Sequence, residues 1–324
     1  MIVNQCQNET GIGGYMEMEQ YHGVQYHPKA LKFNAARYAI KYAILCRAYS
    51  KVYIPAYLCS CISQMLSEMS VAYDVYRVDE NWLPVLERID DAESCVLIVN
   101  YFGQLRNSEI EKLQLKYHNI LVDNTQAFFQ QPVEGIDTVY TCRKYFGVAD
   151  GAYLYTQIDS TLYETLLIDQ SAGRMAFVLG RYETGPQAHY ATFRENEQLL
   201  ADAGMCRMSR ITENILRSID YTHCIDRRRK NVRYLSEHLS QLNKLDVKYD
   251  AGLFMYPLLA PIDNLRENLI KQNIFVACLW PALSVSEAQA KREMALAKSI
   301  IWLPIDQRYG ENEMQKIVLA IKAN

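Results

Sequence analysis

A chain of 324 residues, 50% hydrophobic and 22% charged, can bury a large core and is long enough for one large and one smaller domain. A net charge of -3 without a long basic run argues against nonspecific nucleic-acid binding. No apolar run is long enough to cross a bilayer, and the first residues lack the apolar stretch of a signal peptide. Nine dispersed cysteines without zinc-site spacing fit a reducing cytoplasm better than a disulfide framework or a metal site.

In chain order, Asn34 is a plausible N-cap for an amphipathic run over 35–49. Apolar, β-rich segments over 51–56, 72–78, 96–100, 120–123, 138–142 and 152–156 read as strands. Their alternation with helical segments predicts an α/β fold with a mostly parallel sheet covered on both faces. Residues 161–202 are helical and polar, with breaks at Gly173, Gly180 and Gly185. The stretch 209–242 reads as one long helical connection between domains, on which Arg227 to Lys230 forms a solvated face. Strands over 253–259, 274–278 and 300–303 then build a small C-terminal α/β domain. The division falls at 1–220 and 221–324.

The most informative stretch runs from Val122 to Thr156. Asp123 ends an apolar strand, and open α/β sheets bind ligands in the crevice outside their strand tips. Lys144 lies on the loop before the returning strand at 152–156. This acid and this lysine are the pair that pyridoxal phosphate chemistry needs. The lysine amine must be free to form a Schiff base with the aldehyde, and a carboxylate must face the pyridine nitrogen so that the ring withdraws electrons. Taken singly, a strand-end Asp is a common turn residue and a loop Lys is commonly solvated.

The surrounding residues supply a resemblance. Asp123-Asn-Thr-Gln126-Ala127, then Thr141-Cys-Arg-Lys144, then Gly147 to Gly151, is similar to the pattern of the DegT/DnrJ/EryC1/StrS sugar aminotransferases. Further matches follow in order: Ile54-Pro55-Ala-Tyr57, Val99-Asn100-Tyr-Phe-Gly103-Gln104, and Ile301-Trp-Leu-Pro304-Ile-Asp306. Three departures stand out. Ala149-Asp150-Gly151-Ala152 replaces a Gly-acid-Gly-Gly turn, Asn100 replaces a His, and Met205 replaces an Asn that the neighbouring subunit sends to the cofactor phosphate.

The resemblance implies the aspartate aminotransferase fold of pyridoxal phosphate-dependent transferases: a three-layer α/β/α large domain plus a small C-terminal α/β domain. It implies pyridoxal 5'-phosphate as cofactor, Lys144 as Schiff-base lysine and Asp123 as the pyridine partner. Gln126 would lie beside the ring, Tyr57 is a candidate to stack on it, and Thr141 would place a hydroxyl on the phosphate. Ala36 and Arg37, at a helix N-terminus with its unpaired amides, would complete the phosphate cradle. Arg207 would meet an anionic group or cap the next helix. The implied reaction converts a nucleotide-linked keto-sugar to an amino-sugar with glutamate as donor, in a cytoplasmic homodimer acting on small molecules. Another pyridoxal phosphate reaction, such as dehydration, and a non-catalytic regulatory relative stay open.

Overall fold

The computed structural model describes residues 12–159, 161–247, 252–277, 279–280 and 290–324. Ten strands lie among them: β1 Leu31–Phe33, β2 Lys51–Pro55, β3 Ala72–Val78, β4 Pro84–Val85, β5 Ser94–Val99, β6 Ile120–Asp123, β7 Asp137–Thr141, β8 Ala152–Tyr155, β9 Tyr256–Leu258 and β10 Ile301–Leu303. Eight of them form one sheet in the order β1-β8-β7-β6-β5-β2-β3-β4. The run β3-β2-β5-β6-β7 is parallel, and antiparallel strands flank it. The continuous apolar run of β5, buried at every residue, is what a central parallel strand requires. All six strands predicted in this region are present. Strands β1 and β4 were not anticipated, because three and two residues carry too little alternation to read.

Helices α1 Ala36–Cys46, α2 Ser60–Glu68 and α3 Asn107–Tyr117 alternate with these strands. Successive residues of one strand feed separate cores. Val139, Ala152 and Leu154 join the cluster built on β2, β5 and α1, whereas Tyr140, Cys142 and Tyr153 join Phe128, Phe146, Met208 and Leu216. The sheet is therefore buried on both faces, as the alternation of strands and helices predicted.

The polar stretch after the sheet holds α4 Leu162–Thr165, α5 Ala176–Thr184 and α6 Tyr190–Asp202. The long helical stretch expected over 209–242 is two helices, α7 Arg210–Arg217 and α8 Tyr221–Leu239. The break has a local cause: Asp220 accepts a hydrogen bond from His223 N at 2.9 Å and so starts a new helix. Beyond it lie α9 Leu265–Lys271, α10 Lys291–Ser299 and α11 Glu311–Lys322. With β9 and β10 antiparallel, α8, α9 and α11 enclose a second core that includes Val232, Leu235, Leu258, Leu303 and Ile317. Of the strand expected over 274–278, Ala277 makes an isolated bridge to Trp302, while Cys278 lies outside the described residues. No described helix is long and apolar enough to cross a membrane.

His27 packs among Phe128, Tyr140, Tyr153 and Tyr155, fully buried, with Nε2 facing the Phe128 carbonyl at 2.8 Å. A carbonyl only accepts, so Nε2 carries the proton of a neutral ring. Burial pushes the imidazole down from 6.5 to about 4, against the pull of the Phe128 carbonyl. The unfolded chain thus binds a proton that the folded one refuses between these values, and stability falls as pH drops through that window. A loss of about 3 kcal/mol is expected between pH 6.5 and 4. Denaturant titrations across that range check it, with His27→Phe expected to flatten the slope.

Candidate active site

Four parallel strands deliver their following loops to one edge of the sheet. Cys59 to Cys61 follow β2, Tyr101 to Gln104 follow β5, Thr125 and Gln126 follow β6, and Arg143 and Lys144 follow β7. Strands β3 and β5 flank β2 on opposite sides, so the chain reverses its direction of sheet growth there. Such a switch point opens the crevice in which α/β sheets bind ligands.

Asp123 ends β6 with 7% of its surface exposed, and its Oδ1 accepts the Thr125 backbone N–H at 2.8 Å. That turn brings the Thr125 hydroxyl to the lysine: Lys144 Nζ donates to Thr125 Oγ1 at 3.0 Å. The ammonium lies 5.6 Å from the Phe254 ring centre. Burial pushes the Lys144 pKa down, opposed by the Asp123 carboxylate and the Cys59 and Cys61 thiols. A lysine so placed releases its proton more readily than a solvated one, as amine chemistry requires.

Gln126 is fully buried, and its Oε1 accepts the Phe102 N–H at 2.8 Å, which fixes the amide. Its Nε2 is buried without a partner. A buried donor without an acceptor is costly unless a ligand supplies one. The amide therefore keeps one donor free for a ligand.

The N-terminus of α1 differs from expectation. Its cap is Ala35, with no side-chain hydrogen bond, while Asn34 turns away to span Gly204 O at 2.9 Å and Cys206 N at 3.2 Å. Asn34 fastens a distant segment instead of capping. The first amides of α1, from Ala36 and Arg37 on, are left without a side-chain cap, which is the usual state of an anion-binding helix end. The Arg37 charge in the first turn of α1 also acts on Arg143. The Arg143 pKa is brought down to about 10, first by burial and then by the Arg37 charge, although Arg143 also pairs with Glu197. An anion bound at this helix end would offset that repulsion.

Tyr57 follows β2. It is fully buried, stacks on Tyr101 at 5.5 Å and 22°, and meets Trp280 edge-on at 4.9 Å. Its ring belongs to an aromatic cluster with Trp82, Tyr101 and Trp280. Thr141 closes β7, and its hydroxyl reaches Gly151 O at 3.5 Å. Met205 packs with Ala35, Tyr38 and Leu200, at the start of α1. Arg207 faces Glu164 at 3.6 Å.

Two supports were not legible beforehand. Asp150, in the altered turn, accepts from Ser209 N at 2.8 Å, from Ser209 Oγ at 2.7 Å and from Thr212 Oγ1, so it anchors α7 to the loop that carries Lys144. Gly151 beside it has φ +118°, and a Cβ there would meet Thr212 Cγ2 at 3.0 Å, so glycine is required. Within the basic run read as solvated, Arg228 is fully buried. It donates to Leu253 O at 2.8 Å and Phe254 O at 3.1 Å and lies over the Tyr145 ring at 4.6 Å. Arg229 and Lys230 remain exposed.

No protein-family profile and no curated protein matches this sequence. Solved structures do. A DegT DnrJ EryC1 StrS aminotransferase from Brucella abortus is similar over 91% of this chain and 85% of its own, at 14% identity and TM-score 0.60. The sugar aminotransferase CalS13 from Micromonospora echinospora is similar over 92% and 88%, at 14% identity and TM-score 0.58. S. venezuelae DesV, in complex with a ketimine intermediate, is similar over 91% and 84%, at 14% identity and TM-score 0.57. The chain has the fold of the DegT/DnrJ/EryC1/StrS aminotransferases, as the order of its motifs led one to expect.

Proposed function

We propose that this chain is a pyridoxal phosphate-dependent aminotransferase that forms an amino-sugar from a nucleotide-linked keto-sugar, with glutamate as amino donor. The observation that carries the reading is the convergence of a partly buried lysine, a strand-end aspartate and an unpartnered buried amide at one switch point. The sugar part of the proposal leans on the fold shared with structures named as sugar aminotransferases.

When bound, pyridoxal phosphate supplies an aldehyde for amines and a ring that withdraws electrons from the substrate carbon. Asp123 would hold the pyridine proton, with its carboxylate steadied by the Thr125 amide. Gln126 Nε2 would donate to the ring oxygen. The open N-terminus of α1, with Ala36, Arg37 and the Thr141 hydroxyl, would hold the phosphate. Lys144 Nζ would take the proton from the substrate α-carbon, directed by Thr125 Oγ1. A second copy of the chain would complete the substrate pocket, which sedimentation of the purified protein checks.

The test is an absorbance titration of the purified protein with pyridoxal phosphate, followed by L-glutamate. A band near the visible edge that bleaches with glutamate while 2-oxoglutarate appears is the expected result. Conversion of keto-sugar nucleotides by the glutamate-treated protein then identifies the acceptor. A protein that binds no pyridoxal phosphate is not this enzyme. One that binds it and ignores every amino donor is a different pyridoxal phosphate enzyme or a non-catalytic relative.

A further inference from the structure

Asn100 follows β5 directly and is fully buried. Its side chain uses both ends of the amide. Oδ1 accepts the Leu105 N–H at 2.9 Å, and Nδ2 donates to Gln130 Oε1 at 2.8 Å and to Asn124 Oδ1 at 3.0 Å. Gln130 Nε2 in turn donates to Leu105 O at 2.9 Å and to Asn107 Oδ1 at 2.7 Å, and the Tyr140 hydroxyl donates to Gln130 O at 2.9 Å. One residue thereby ties two loops together: 100–105, which follows β5, and 124–130, which follows β6.

The directions of these bonds follow from main-chain groups, whose roles are fixed. A peptide N–H only donates, so Leu105 fixes the oxygen end of Asn100, which obliges Nδ2 to face the acceptors of Asn124 and Gln130. The same rule sets Gln126. The Phe102 N–H claims Oε1 at 2.8 Å, which leaves Nε2 as the buried donor without a partner. Phe102 reaches that place through an uncommon backbone: its φ is +55°, and Gly103 follows at +65°. Such a turn persists where its surroundings over-determine it. Asn100 does so from both ends, its carbonyl accepting Gly103 N at 3.3 Å and its Oδ1 accepting Leu105 N just beyond. Its other two partners, Asn124 and Gln130, bracket Gln126 in the chain.

We infer that Asn100 is a positioning residue, which aims the free Nε2 of Gln126 by holding Phe102 and the 124–130 stretch in one register. The residue type suits this role. A side-chain amide offers an acceptor and two donor hydrogens at any pH near neutral, whereas the His of the family pattern has one donor hydrogen when neutral and no acceptor when charged. An imidazole could not satisfy Leu105, Asn124 and Gln130 together. The aim of the donor rests on the network alone, and its use for the cofactor's ring oxygen rests on the proposed function.

Amide hydrogen exchange of the purified protein, read by NMR, tests the aim without cofactor. In the wild type the Phe102 N–H should exchange as slowly as the amides of β5. In Asn100→Ser it should exchange at least about ten-fold faster than they do. Tyr76→Phe, which loses a buried hydrogen bond to Leu97 O, should leave the two alike. Gln130→Met removes one partner of Asn100 and should act in the same direction, so the test stands even if Asn100→Ser does not fold. With pyridoxal phosphate bound, a donor on the ring oxygen favours its ionised form. The pH midpoint of the Lys144-dependent absorbance band should therefore rise by about one pH unit in Gln126→Ala, and by a similar amount in Asn100→Ser. The double variant should stay where Gln126→Ala puts it, since Asn100 acts through that donor. A Phe102 amide that exchanges freely in the wild type, an unmoved midpoint in Asn100→Ser, or additive shifts in the double variant overturns the inference. If the cofactor does not bind at all, the proposed function fails while the exchange rates still decide whether Asn100 holds the turn.

Discussion

Replacing Lys144 by alanine should remove the cofactor absorbance band and lower transamination by at least about 10³-fold, with stability changed by no more than about 1 kcal/mol. The side chain makes one hydrogen bond, to Thr125 Oγ1, and its ammonium is held in surroundings that disfavour its charge. Little folding energy is therefore lost with it. Lys144→Arg sharpens the result. A guanidinium stays protonated and cannot react with an aldehyde, so that variant should keep the positive charge and still lack the band. Spectra and single-turnover reactions with glutamate check both. Activity surviving in either variant would remove Lys144 from the chemistry, whatever its position.

Asp150→Ala should unfold at much lower denaturant, with a loss of about 3–5 kcal/mol. The carboxylate is fully buried and receives Ser209 N, Ser209 Oγ and Thr212 Oγ1, all at the start of α7. Truncation strands these donors away from water. Burial raises the carboxyl pKa against those hydrogen bonds, so the group is held at some electrostatic cost and is worth keeping only while its donors are present. Asp150→Asn keeps the shape and one acceptor oxygen and should lose roughly half as much. Equilibrium urea titrations measure both. A small loss for the alanine variant would mean that water reaches this turn.

What could be read beforehand followed from local physics. Asp123 and Lys144 are separated by one strand and its turns, so their convergence at the sheet edge was implied by the strand pattern alone. Thr125 was not assigned, because its hydroxyl meets the lysine only after the loop closes on Asp123 Oδ1. Asn34 looked like a helix cap, since an Asn before an amphipathic run has the same letters whether its amide turns back or reaches across to residues 204 and 206. Arg228 shares a basic run with exposed neighbours, and only the second core shows which of the four turns inward. Tyr57 is one of 24 tyrosines, and its rings of contact come from segments far apart in sequence.

The buried Arg228 does more than satisfy carbonyls. It reaches from α8 to the Tyr145 ring, and its Nε donates to Gln307 Oε1, while Gln307 Nε2 donates to the Tyr145 carbonyl at 2.8 Å. Tyr145 is the residue after Lys144, and Phe254, held by the same guanidinium, faces the amine. The Lys144 amine thus lies against a cluster, holding both Tyr145 and Phe254, to which the loop after β7 and the C-terminal stretch each contribute. A displacement of the C-terminal stretch would be passed by Arg228 and Gln307 to the loop that carries the amine.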